Sequence, residues 1–154
     1  MRKIIGLALL VAASATFGAS LPYDESADAA ADIRAALAEA QRAHVPLLVV
    51  FGANWCGDCK VLDMAFKSGA SAPLVARSFR VVKVNVGRFD RNVDIAASYG
   101  VPLKSGIPAV AVLSEKGDVI YATRAGELAD ARNMGDTAIY EFFAKVARTG
   151  GSRP

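Results

Sequence analysis

The stretch FGANWCGDCK, residues 51–60, closes an apolar run and contains both cysteines of a 154-residue chain. Two thiols three positions apart, directly behind Trp55, admit three uses: a metal clip, a structural disulfide, or a thiol pair that opens and closes. A structural zinc site needs four ligands, and the chain adds to the thiols one histidine, His44, and no second Cys-x-x-Cys. A purely structural bridge here would close a very small loop, and the stabilisation expected from a disulfide shrinks with loop length. The reversible dithiol is favoured by position. The preceding LLVVFGA (47–53) is bounded by breakers and too short for a helix, so it reads as a buried strand. A helix starting at Cys56 would present unpaired N–H groups and the positive end of its dipole to that sulfur, stabilising a thiolate. Cys59, one turn further in, is close enough to resolve a mixed disulfide on Cys56.

The remaining chain is compatible with a single α/β domain. Residues 24–44 carry Ile33, Leu37 and Ala40 at helical spacing, with acids leading and Arg42 and His44 closing the last turn before Pro46. The active helix is expected over 56–69, through Lys60, Leu62 and Phe66, and Pro73 opens a further turn ending near Ser78. RVVKVNV (80–86) reads as a strand with Val82, Val84 and Val86 on one face, and 91–100 as a short helix closed by Gly100. AVAVLSEKGDVIYATR (109–124) reads as a hairpin turning at Lys116-Gly117-Asp118. A last helix over 137–148 turns Ile139, Phe142, Phe143 and Val146 inward, and 150–154 form a disordered tail. Strands joined by crossover helices and followed by a hairpin imply a mixed four-stranded sheet flanked by helices on both faces.

The first twenty residues, MRKIIGLALLVAASATFGAS, place Arg2 and Lys3 before an apolar stretch and then small residues. This is the layout of a secretory signal peptide, with cleavage expected after Ser20 or, alternatively, Ala15. An uncleaved anchor is the competing reading, because Ile4 to Leu21 holds no charge, but its second half of Ala, Ser, Thr and Gly drives insertion weakly. The expected organisation is a signal peptide over 1–20 and one domain over 21–149, located in the periplasm or cell envelope. Removing Arg2 and Lys3 takes the formal charge from +3 to +1. With no basic run interleaved with aromatics, nucleic acid is not an expected partner.

Beyond the cysteine motif, the chain resembles the thioredoxin superfamily, most closely its envelope thioredoxin-like domains. The residues that carry the resemblance are PLLVVFGANWCGDCK, VVKVNV and GIPAVAVLSEKGDVI, within 33–143. The resemblance implies a thioredoxin-like fold in which Cys56 is the exposed nucleophile, Cys59 the resolving thiol, and the pair a reversible disulfide. It makes Pro108 the cis-proline, with the Ile107 backbone free to pair with an extended substrate. Pro102, on a loop, is expected to be trans. Trp55 either shields Cys56 and lines the substrate site or belongs to the core, whereas His44, Glu115 and Asp118 need no chemical role.

Three departures bear on chemistry. Val50 stands where the family carries a buried acid that serves the resolving thiol, so Lys83, which neighbours that acid in the family, is expected to be solvated. Gly57-Asp58 replaces the usual Gly-Pro between the cysteines. An Asp58 carboxylate beside the pair opposes a thiolate, although it is equally an ordinary first-turn residue. YGVPLKSGIP lengthens the approach to the proline and alters the groove rim. The activity implied is that of an exported protein-disulfide oxidoreductase, monomeric and needing no cofactor or metal. It would act on protein thiols and disulfides in the reducing direction, and a membrane-bound electron donor would replenish it. The competing readings are a Cu(I)-binding module using the two thiolates and a thioredoxin-fold interaction domain with weak redox activity.

Overall fold

A computed structural model describes residues 20–151. All of the expected signal segment except Ser20, and residues 152–154 of the expected tail, lie outside the described residues. The strands are β1 (Leu47–Gly52), β2 (Arg80–Asn85), β3 (Ala109–Leu113) and β4 (Val119–Ala122), and the helices are α1 (Ala29–Ala43), α2 (Gly57–Ser68), α3 (Ser71–Ser78), α4 (Val93–Ser98) and α5 (Ala131–Gly151). The sheet order is β2-β1-β3-β4, with β1 and β2 parallel and the other two pairs antiparallel. This is the mixed four-stranded sheet of the thioredoxin-like fold.

All six residues of β1 are buried, which explains its unbroken apolar run: a central strand covered on both faces has no side to leave polar. Leu47, Val49 and Phe51 join Val82, Val84, Ala109 and Ala111 on one face, under Ile33 and Ala40 of α1. Leu48 and Val50 face the other way, against Leu62 of α2, Leu74 of α3 and Ile139 and Phe143 of α5.

The helix boundaries differ from those read in the sequence for local reasons. α1 starts at Ala29 because Asp28 caps it, accepting the Ala31 N–H at 3.0 Å. Asp24 instead accepts from the Ser26 N–H and hydroxyl at 2.8 and 2.7 Å, a local turn that competes with helix. His44 ends α1 at φ 54°, exposed, with Nδ1 3.4 Å from Glu115 Oε2. Pro73 lies inside α3, which begins at Ser71. β2 stops at Asn85, although Val86 stays buried as expected. α5 begins ahead of Thr137 and is interrupted at Gly135, whose φ of 73° and ψ of 164° break the helical path. It continues through residues 150 and 151, which were expected in the tail.

Phe142 is only half-buried, its ring 6.1 Å from that of Tyr121 and 5.0 Å from that of Phe143. Phe143 is fully buried, and its ring also meets Phe66 of α2 at 4.9 Å. Through it α5 holds α2 against the sheet. Phe143→Ala is expected to cost about 3–5 kcal/mol of unfolding free energy in urea titrations. A loss below about 1 kcal/mol would mean that this contact does not hold α2 in place.

Candidate active site

β1 ends at Gly52, and the short loop 53–55 delivers the chain to the start of α2. Cys56 is the N-cap of that helix, with extended φ and ψ of −80° and 115°, and its Sγ accepts the Cys59 N–H at 3.1 Å. A sulfur here satisfies one of the unpaired donors at a helix start, the role usually filled by a serine or aspartate oxygen. Cys56 and Cys59 are joined as a disulfide with Cα atoms 5.2 Å apart. Cys56 is 5% exposed and Cys59 is fully buried, so only the first reaches the surface.

The facing wall is the turn before β3. Ile107–Pro108 is a cis peptide bond, and the Ile107 carbonyl oxygen lies 3.6 Å from Cys56 Sγ. Pro102 has an ordinary trans bond and leads into a single 3-10 turn, Leu103–Ser105. On the other side Trp55 is half exposed, which removes it from the core. Its Nε1 donates to the Gly87 carbonyl at 2.8 Å, Phe89 meets its ring edge-on at 5.9 Å, and the Arg88 guanidinium lies 6.0 Å from its centre. Phe89 itself adopts φ 65° and stays exposed, extending the aromatic rim.

Asp58 stands in the first turn of α2, one of the two roles its position allowed. It is buried and turned away from the open edge toward α5, where its Oδ1 accepts the Arg132 backbone N–H at 3.0 Å and Nε at 3.1 Å. Burial pushes its carboxyl up, but the two Arg132 hydrogen bonds and the guanidinium charge outweigh this and hold it below the usual carboxylate value. The charge expected to act on Cys56 is therefore neutralised at its own carboxylate. Gly57 leaves the room this requires, since a Cβ there would press against the Arg132 side chain at 3.3 Å.

Lys83 is likewise paired, though its side chain keeps partial exposure. Its partner across the parallel ladder is Val50, as the sequence indicated, but its ammonium reaches Asp63 of α2 instead. Asp63 also pairs with Lys67 at 2.8 Å, one turn along the same helix. Burial raises the Asp63 carboxyl, and hydrogen bonds and charges from Lys67 and Lys83 more than reverse the effect. An acid therefore stands near Cys59 after all, supplied by the helix and not the strand. Asp63 follows Cys59 at i+4, a helical neighbour that the sequence pattern alone could have flagged. Tyr23 and Asn54 were also missed, because their association joins distant segments. Among the described residues, no three His, Cys, Asp or Glu side chains form a metal-binding group.

A family model described as Thioredoxin-like matches residues 28–114. A disulphide isomerase from Xylella fastidiosa Temecula1 is 50% identical, with 84% of this chain and 98% of that chain covered and a TM-score of 0.80. The oxidised C-terminal domain of DsbD from Neisseria meningitidis is 21% identical at a TM-score of 0.53, covering 80% of this chain and 97% of that one. No curated protein matches. The chain belongs to the thioredoxin-like family, and it carries the thiol–disulfide oxidoreductase fold of that family with a Cys-x-x-Cys pair.

The two buried carboxylates make the fold acid-sensitive in a defined direction. Both Asp58 and Asp63 titrate below their ordinary values when folded. Their contribution is present above the unfolded carboxylate pKa and is lost as pH falls through the depressed folded values, below about pH 4. Urea titrations across this range should give a shallower acid limb for Asp63→Asn than for the natural chain. Coincident acid limbs would mean that the Asp63 ion pairs do not form in solution.

Proposed function

We propose that this protein is an exported thiol–disulfide oxidoreductase that reduces disulfides of cell-envelope proteins through Cys56 and Cys59. The observation that carries the reading is the asymmetry of the pair: Cys56 caps a helix and keeps slight exposure, and Cys59 is wholly buried one turn behind it. In the reduced protein the Cys56 thiolate attacks a substrate sulfur, the substrate disulfide breaks, and a mixed disulfide forms. The Cys59 thiolate then attacks Cys56 Sγ, the second substrate thiol is released, and the intramolecular disulfide returns. Trp55 and Pro108 flank the reacting sulfur, and the Ile107 backbone beside Cys56 offers main-chain pairing to an extended substrate.

The reducing direction does not rest on Asp58, whose charge Arg132 offsets. It draws on the surroundings of the sulfurs. Cys56 Sγ accepts a single N–H, which favours a thiolate, and faces the Ile107 carbonyl oxygen, which disfavours one, so the thiolate is only partly stabilised. Strong oxidants of this chemistry have a highly stabilised nucleophile thiolate. The 50%-identical relative named a disulphide isomerase fits the same poise, because isomerisation also begins with a reduced nucleophile. A protein that must stay reduced in an oxidising compartment needs an electron supply, and we assign that role to a membrane-bound donor. Export rests on the charged, apolar and small-residue order of the first twenty residues.

Equilibration with dithiothreitol and glutathione buffers tests the direction. The expected reduction potential lies below about −200 mV, nearer the roughly −270 mV of thioredoxin than the roughly −120 mV of a strong oxidant. Disulfide reduction by the protein should vanish in Cys56→Ser. A potential near the oxidant end would overturn the direction, and activity in Cys56→Ser would overturn the site.

A further inference from the structure

Tyr23 is a buried acid–base group that the exchange steps above leave unused. It lies ahead of α1, outside the segment matched by the family model. Asn54, two positions before Cys56, fixes its backbone: the Tyr23 N–H donates to Asn54 Oδ1 at 3.0 Å, and Asn54 Nδ2 donates to the Tyr23 carbonyl at 2.8 Å. The side chain is 2% exposed and carries its hydroxyl to Gly52, at the end of β1. A Cβ on Gly52 would stand 2.9 Å from Cys59 Sγ and closer still to the tyrosine oxygen. Sulfur and oxygen are thus less than twice that distance apart, in a space that exists because residue 52 has no side chain.

Opening the disulfide creates a charge in this space. When a donor thiolate attacks Cys56 Sγ, the Cys56–Cys59 bond breaks and its electron pair passes to Cys59 Sγ, which is fully buried. A buried anion without a hydrogen-bond donor is costly. We propose that the Tyr23 hydroxyl is this donor: once the disulfide opens, it hydrogen-bonds the thiolate formed on Cys59 Sγ. In the opposite step the Cys59 thiolate so held attacks Cys56 Sγ, the substrate thiolate leaves, and the tyrosine keeps its proton throughout. Tyr23 is therefore a catalytic residue for the resolving sulfur, within a reaction that rests on the reading of Cys56–Cys59 as the working pair.

The surroundings suit a donor and not a base. Burial, reinforced by the Asp63 charge, pushes the Tyr23 phenol up and keeps it protonated. Asp63 is tied to Lys67 of its own helix and Lys83 of β2. Asp24, Asp32 and Glu39 line the open groove that these groups share. An additional acid on the thiolate side would oppose ionisation of Cys59, so a neutral donor is the element that the site otherwise lacks.

The test titrates Cys59 alone, in the full chain carrying Cys56→Ser, by following the Cys59 Cβ chemical shift against pH. Adding Tyr23→Phe should raise the pH of half-ionisation by about one unit, a roughly tenfold smaller thiolate population at a given pH. Placing 3-fluorotyrosine at position 23, a more acidic phenol of nearly the same shape, should move it the other way. No change in Tyr23→Phe, or shifts of the same sign in both variants, would overturn the proposal. If Tyr23→Phe does not fold, the fluorotyrosine variant decides alone: a downward shift supports the hydrogen bond, and no shift overturns it. Because Cys56 is absent, the titration reads this coupling whether or not the natural protein reduces disulfides. A failed reduction assay would therefore strike the reaction and not the contact.

Discussion

The hydrogen bond from the Cys59 N–H to Cys56 Sγ is the contact around which the site is arranged. It makes one cysteine the cap of α2 and places the other a turn inside, so that one sulfur meets the surface and its partner cannot. That cap holds its place because β1, buried on both faces, ends at Gly52 directly beneath it. A side chain at residue 52 would collide with the sulfur of Cys59 and with the Tyr23 hydroxyl, so the strand must end on glycine. The position of the reactive pair is thus a consequence of sheet packing, with the helix dipole added where the helix begins.

Charge around the pair follows a second rule: each buried carboxylate on α2 is held by a cation from another element. Asp58 is bound by Arg132 of α5 and Asp63 by Lys83 of β2, with Lys67 assisting. These links join the active helix to α5 and to β2. Pairs of this kind add little net stability over apolar packing, but breaking one strands a buried charge, so they are well suited to fixing orientation. At Asp58 the Arg132 guanidinium offsets the carboxylate charge at its source, whereas the Asp63 charge still reaches Tyr23.

Much of this was legible in the residues. LLVVFG could only be a doubly covered strand, and Cys-x-x-Cys behind Trp55, with Gly-Ile-Pro preceding a hairpin, located both walls of the site. Signals that depend on chain-distant partners were not legible. Asp58 reads as an open charge until α5 brings Arg132 to it, and Lys83 reads as solvated because its expected partner on β1 is Val50. The acid was displaced onto α2, where the i+4 spacing of Cys59 and Asp63 was a usable sign. Tyr23 offered none, since the Asn54 contacts that hold it span segments with no shared periodicity. The start of α1 at Asp28 was missed because a local cap overrides the apolar pattern, and the helical turn ahead of the Gly135 break because it lies before the apolar pattern of 137–148.

The division of labour between the two sulfurs is the central claim, and thiol trapping addresses it directly. Cys59→Ser and Cys56→Ser variants, each incubated with a disulfide-bonded protein substrate, are mapped by peptide mass spectrometry. The account predicts a stable mixed disulfide through Cys56 in the Cys59→Ser variant and little trapping through Cys59 in the other. Equal trapping by the two variants, or trapping through Cys59 alone, would contradict it.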